Sequence, residues 1–279
     1  MRVRAVVTDL DGTLLPSGGT ISARSLAALR RLGAEGCLRV IATGRNLYSA
    51  LQVLPDDFPI DYLVFSSGAG VMRWRDRRLL CTIHLEEDSV REIARFLWDA
   101  NLNFTVQREM PDNHLFYYTS FYPEPEDFLR RVRFYLPFGT FAGTVDAIRG
   151  KATQFLVILD AVQLRLFESL RRELAAYSVV RSTSPVDGRA LWLEVFAKGV
   201  NKGSTCRRLL EGVGIDMGDC AGLGNDYNDT DFLELCGEAF VVANAPSPLK
   251  ARYRMVAGVC EDGFVEFVEK VCRWTVLFE

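Results

Sequence analysis

Apolar residues in this chain follow two rhythms, short solid runs and helical repeats, and the first part of the chain alternates between them. Residues 3–7 are apolar apart from Arg4, and the run stops at Asp9-Leu10-Asp11-Gly12-Thr13. A β-branched run bounded by a Gly turn predicts a buried parallel strand. Ser22 is a good helix N-cap. Leu26, Leu29 and Leu32 then recur at helical spacing, and Gly33 or Gly36 ends the helix. Runs at 38–42 and 62–65 predict a second and a third buried strand, with a helix from about residue 46 to about 54 between them. This is the pattern of a parallel doubly wound sheet.

From residue 71 the rhythm changes. Two strand-like runs flank Arg73-Trp74-Arg75-Asp76-Arg77-Arg78, which reads as the solvated tip of a hairpin. Past residue 86 the pattern is that of a separate α+β unit. Asp88 or Ser89 caps a helix to Ala100, and strands are predicted at 103–107 and 115–120. A helix follows Pro123-Glu124-Pro125 over 126–135, with Pro in a tolerated first-turn position. Then come a strand at 154–159, a helix at 162–175, and strands at 179–182 and 191–196 around the turn Pro185-Val186-Asp187-Gly188. After Phe196 the α/β alternation returns, with helices at 202–211, 229–235 and 263–274 and strands at 219–223 and 239–242. The chain therefore reads as α/β, a doubly wound parallel, Rossmann-like core with an inserted α+β cap domain. The boundaries are core at 1–82 and 193–279 and cap at 83–192, a layout that suggests a cap closing over a site.

Composition narrows the classes. The chain has 279 residues, enough for two domains, with 49% hydrophobic and 25% charged residues, as in ordinary globular proteins. A net charge of −3 supplies no basic field for nucleic acid. No apolar run approaches the roughly 18 residues of a membrane span, and Asp9 and Asp11 break what would otherwise resemble a leader. Seven scattered cysteines without a CxxC pair read as reduced thiols of a cytoplasmic protein. The two histidines, His84 and His114, are too few for a zinc centre and read as surface or strand residues.

The chemistry starts at the end of the first strand, where ligands bind in open α/β sheets. Asp9 and Asp11 would share a face if the strand continued. Two close carboxylates repel and are relieved by a cation, and an all-oxygen site that also takes phosphate suits magnesium. Asp9 can attack phosphorus, and Asp11 can protonate the leaving group and later activate water. The same residues also fit a strand end with an Asp-Gly turn. Thr43, ending the second strand before Gly44, can donate to a phosphate oxygen at the following helix N-terminus, or simply cap that helix. Arg45 can reach a substrate anion or pair on the surface. Lys202 stands at a helix start, where the macrodipole disfavours a cation, and that misfit points to function. Lys198 fits as a surface residue. Residues 222–229, Gly-Leu-Gly-Asn-Asp-Tyr-Asn-Asp, crowd oxygen donors between a strand and a helix.

Taken together these stretches resemble the four motifs of the haloacid dehalogenase superfamily, Cof-type subgroup. Asp9-Leu10-Asp11-Gly12-Thr13 matches DxDGT, Thr43 the second motif, Gly199-Val200-Asn201-Lys202-Gly203 the GxxKG form of the third, and residues 224–229 the GDxxND form of the fourth. Two positions depart from the pattern: Asn225 stands where the fourth motif has its first Asp, and Ser67 stands where the subgroup has Asn before Gly68-Ala69. The resemblance implies a cap of type C2B and a magnesium-dependent phosphatase of small phosphate esters, often sugar phosphates. It also implies attack by Asp9, Asp11 as general acid and base, and phosphate contacts from Thr43, Gly44 and Lys202. Magnesium would be held by Asp9, the Asp11 carbonyl, Asn225 and Asp229, with Asp226 an alternative, and Arg45 and Asn228 would face the substrate. Cap candidates for specificity are Arg108, Asn113 and His114. The aromatic stretch 116–122 fits pocket lining or, more simply, cap core. Two other readings stay open. One is a phosphomutase with the same intermediate, which a bisphosphate requirement would favour. The other is a phosphometabolite-binding protein without turnover, which Asn225 keeps in play. Oligomeric state is not legible.

Overall fold

The computed structural model describes residues 3–184 and 190–272. The predicted turn at 185–188 and the last two residues of the helix predicted to 274 lie outside these. In chain order the elements are β1 (Ala5–Thr8), α1 (Ala23–Ala34), β2 (Leu38–Ala42), α2 (Leu47–Leu51), β3 (Tyr62–Phe65), β4 (Gly70–Arg73), β5 (Arg78–Thr82) and α3 (Glu87–Asp99). Next come β6 (Phe104–Arg108), β7 (Phe116–Tyr118), α4 (Glu126–Phe134), β8 (Gly139–Phe141), β9 (Ala152–Leu159), α5 (Leu164–Glu173), β10 (Ser178–Thr183) and β11 (Leu191–Phe196). The chain continues through α6 (Lys202–Gly212), β12 (Cys220–Gly224), α7 (Thr230–Leu233), β13 (Glu238–Val242), α8 (Ser247–Arg252), β14 (Arg254–Val256) and α9 (Gly263–Cys272).

The chain divides into two compact units. The first comprises Met1–Gly44, Leu54–Cys81 and Asn201–Glu279, the second Arg45–Val53 and Thr82–Val200. The first unit is built on a sheet of order β14-β13-β12-β1-β2-β3-β4-β5. Strands β14 to β3 run parallel, and β4 turns back antiparallel on β3. Ala5, Val6 and Val7 are fully buried, which is why the run is apolar on both faces. On one face Ala5 and Val7 pack against Cys206 and Leu210 of α6 and Phe232 and Leu233 of α7. On the other, α1 and α9 lie together, and Phe267 of α9 meets Phe240 of β13 edge to face, centroids 5.4 Å apart. Helices on both faces make this the doubly wound core. The Arg-rich tip is a solvated turn: Arg77 adopts a left-handed conformation, Arg73 pairs with Asp76 at 2.5 Å, and Arg77 pairs with Asp56.

The second unit holds a sheet of order β10-β11-β9-β6-β7-β8, antiparallel except that β8 joins β7 in parallel. Alternate residues Phe155, Val157 and Leu159 of β9 face a core with Ile93 and Leu97 of α3 and Phe167 and Leu170 of α5. The intervening Leu156 and Ile158 pack with Phe128 and Val132 of α4, and Tyr118 and Trp192 lie against this second cluster. Two boundaries differ from the sequence expectation. Residues 193–200 belong to the second unit, because β11 is bonded on both sides within its sheet, to β10 and β9. Residues 45–53 also group there, through Tyr48, which stacks on His114 at 4.8 Å and meets Phe138 edge-on at 5.2 Å. Among the described residues no helix is long and apolar enough to cross a membrane.

Candidate active site

The residues singled out by motif spacing gather at the carboxyl ends of neighbouring strands. Parallel register sets Thr8 of β1 beside Leu223 of β12 and Ile41 of β2. Asp9, Gly224 and Thr43 therefore leave adjacent strands at nearly the same level. The strand does not continue through Asp9 and Asp11. Asp9 makes one further main-chain bond to Leu223, and the chain then coils so that Leu14 and Leu15 both donate to the Leu10 carbonyl. Gly12 takes φ +75°, and a Cβ there would lie 2.3 Å from Nδ2 of Asn225, so the turn requires glycine on both counts.

Lys202 joins the site from the first turn of α6. The Asn201 side chain accepts from the Ser204 amide at 2.7 Å, and Ser204 returns the bond, closing a capping box that fixes where the helix begins. Thr205 donates to the Gly68 carbonyl at 2.9 Å. Lys202 is 1% exposed, and its Nζ lies 2.7 Å from Oδ1 of Asp9 and 2.7 Å from Oδ1 of Asp229. The two carboxylates explain how a cation tolerates burial at the positive end of a helix. Burial alone lowers the ammonium, but Asp229 and Asp9 outweigh it and hold the group above the ordinary lysine value. Asp9, buried, is pushed up to about 7 by burial first, then by Asp229 and Asp11; Lys202 opposes the rise but is shared with Asp229.

Asp229 is fully engaged. Its Oδ1 takes Lys202, and its Oδ2 accepts the main-chain amides of Asn225 at 2.8 Å and Asp226 at 3.0 Å. The Asn225 side chain turns the other way, its Nδ2 donating to the Asp11 carbonyl at 3.0 Å. A residue that sequence reading missed completes the turn: Asn244, after β13, donates to the Gly12 carbonyl at 2.8 Å and accepts from the Val259 amide at 3.0 Å. The only signal for it was a lone Asn following a strand. Thr43 is buried, and its carbonyl accepts from Ser67. A Cβ on Gly44 would lie 3.6 Å from Oγ of Ser67 and 3.9 Å from Nδ2 of Asn228, so Thr43, Gly44, Ser67 and Asn228 share one neighbourhood. Arg45 follows Gly44 directly in the chain. It falls in the second unit, where its guanidinium donates to the Ser49 carbonyl at 3.1 Å. Among the described residues no group of three or more His, Cys, Asp or Glu side chains is placed to hold a metal ion. Oxygen donors around Asp9 include its own carboxylate, the carboxylates of Asp229 and Asp11, and the Asp11 carbonyl and Asn225 amide that bond one another. A hard cation fits this set once that amide turns its oxygen inward.

A doubly wound core whose strand-end Asp9 is joined through a buried lysine to Asp229, in the turn before α7, suits a phosphoryl-transfer type of hydrolase. The model of haloacid dehalogenase-like hydrolases matches residues 6–268, and the chain belongs to that family. It is 28% identical over 275 residues to the HMP-PP phosphatase of Serratia proteamaculans, covering 93% of this chain and 91% of that protein. It is 23% identical over 296 residues to the 5-amino-6-(5-phospho-D-ribitylamino)uracil phosphatase YwtE of Bacillus subtilis, covering 96% and 98%. Among solved structures it shares the fold of the HAD subclass IIB sugar phosphatase BT4131, with a TM-score of 0.73, 18% identity, and coverage of 96% and 98%. Within the family the chain is a phosphoric monoester hydrolase, in line with its named relatives, which are phosphatases.

Proposed function

We propose that the chain hydrolyses a small phosphorylated metabolite through an aspartyl-phosphate on Asp9, with magnesium as cofactor. The observation that carries this reading is the buried bridge of Lys202 between Asp9 and Asp229 at the strand ends. In the first step an Asp9 carboxylate oxygen bonds to phosphorus as the ester P–O bond breaks, and Asp11 gives the leaving oxygen its proton. In the second, Asp11 takes a proton from water, which attacks phosphorus and releases phosphate with the Asp9 carboxylate restored. Lys202 holds Asp9 in line and offsets charge on the phosphoryl oxygens. Thr43 and the Gly44 amide donate to those oxygens. Asp229 holds Lys202 through Oδ1 and the backbone of the 225–226 loop through Oδ2, and Oδ1 keeps a lone pair with which it could also serve the metal. Magnesium would be held by Asp9, the Asp11 carbonyl and Asn225 Oδ1, and would supply positive charge where carboxylate and phosphate meet. The named relatives are an HMP-PP phosphatase and a 5-amino-6-(5-phospho-D-ribitylamino)uracil phosphatase, and BT4131 is a sugar phosphatase, which supports a small phosphorylated substrate. Asn228 is a proposed source of specificity, and the free thiols suit a cytoplasmic setting.

The test is phosphate release from sugar phosphates, phosphorylated pyrimidines and p-nitrophenyl phosphate, with and without magnesium, on wild type and Asp9→Asn. Metal-stimulated release that Asp9→Asn lowers by about a thousandfold or more is the expected outcome. Equal release by both proteins, or none from folded wild type on any compound, overturns the reading.

A further inference from the structure

The geometry points to Asn225 as a latch that holds the site together in place of a cation, so that a divalent ion binds only by displacing the hydrogen bond from Asn225 to the Asp11 carbonyl. The inference rests on the phosphatase reading only for the identity of the ion. Its physical content is the contact itself. The main chain at residue 225 is fixed, because Asp229 accepts both the 225 and 226 amides. The side chain is thereby aimed at the Asp11 carbonyl, 3.0 Å away, and its Nδ2 lies directly over Gly12. Only the NH2 end of an amide can bond a carbonyl oxygen. A carboxylate in the same place would set two acceptors face to face, a contact that a cation between them resolves.

Two consequences follow. The latch does mechanical work that a metal would otherwise do, tying the Asp9–Leu15 turn to the loop after β12. Asn244, on the next carbonyl along at 2.8 Å, keeps the turn in shape when the latch opens. The donor set also carries one negative charge fewer than a set with aspartate at 225, and affinity for hard cations rises with ligand charge. The chain is therefore built to stay ordered without metal and to take magnesium weakly and reversibly.

The test is calorimetric titration of magnesium chloride into the whole protein, wild type, Asn225→Asp and Asn225→Ala, with thermal melts of each in EDTA and in saturating magnesium. Wild type is expected to bind at least about tenfold more weakly than Asn225→Asp, and its melting temperature to move little between the two buffers. Asn225→Asp melts lower than wild type in EDTA and recovers in magnesium. Asn225→Ala melts lower than wild type in EDTA and gains no tight binding. Wild type binding as tightly as Asn225→Asp, or Asn225→Asp as stable as wild type in EDTA, overturns the inference, as does Asn225→Ala with an unchanged melt. These readouts contain no substrate, so failure of the phosphatase reading leaves them unmoved and is seen only as absent phosphate release.

Discussion

Asp9 is asked to be two things, a buried group and, on the proposed mechanism, a nucleophile that works as an anion. Burial and Asp229 raise it to about 7 from an ordinary 3.8. The folded state therefore binds a proton that the unfolded chain has released between about pH 4 and pH 7. Stability attributable to Asp9 is full below the lower value and is lost as pH rises through the upper one. Chemical denaturation in EDTA should show a stability that falls across this window, and Asp9→Asn should flatten the fall. A fall that survives Asp9→Asn assigns it to another group, such as Asp231, held up to about 6 by burial and Glu234. Ser67 shows a different residue-scale compromise. It and Ser66 adopt left-handed φ of 51° and 48°, where asparagine is at home and serine is less so. Gly68 at φ +103° follows, and a Cβ there would meet the Asn201 carbonyl at 2.4 Å. Ser67 thus takes the left-handed bend itself, which keeps it beside Gly44.

Among elements, α6 matters most, because its start decides where Lys202 lies. Removing the cap with Asn201→Ala should cost about 1 kcal/mol of stability. It should also lower kcat more than KM rises, since Lys202 loses its fixed origin. Steady-state kinetics beside a denaturant melt separates these, and an unchanged kcat would detach the cap from the chemistry. Element legibility follows length and burial. Strands β2, β3 and β11 lie at the residues where the apolar-rich runs predicted them. Strand β8 was missed because three residues at a sheet edge carry no alternation, with Thr140 and Phe141 both exposed. The same holds for β14, three residues with two of them exposed, and α8, six residues opening on Pro246. Helix α2 is shorter than expected, ending at Leu51, because only Leu47 and Ala50 in it are buried. In the site, Lys202 could be found from spacing and its misfit with the dipole. The direction of the Asn225 amide could not, since a hydrogen bond spanning 214 positions leaves no local trace, and Asn244 was hidden for the same reason across 232.

At the scale of the molecule each unit carries its own core. Phe155→Ala in β9 removes a fully buried ring from the second unit and should cost about 3–5 kcal/mol. Hydrogen exchange should speed up in β6, β9 and β11 while β1, β2 and β12 keep their protection. Uniform loss of protection would mean that the two cores melt as one cooperative body.

The central strand of the first sheet has consequences for how the protein is made. β1 lies between β2 and β12, and Ala5 pairs with Cys220, while Lys202 reaches Asp9 across 193 positions. At roughly 5–20 residues per second, synthesis leaves the first strand without one of its neighbours for roughly 10–40 s. During that interval Val6 and Val7 have no finished core to enter, while most of the second unit, continuous from Thr82 to Val200, has already left the ribosome. On the proposed mechanism the nucleophile is made long before the lysine that arms it. A nascent chain halted before Lys202 would be inert toward phosphate esters, and would offer an apolar strand edge to whatever chaperone or neighbouring chain met it first.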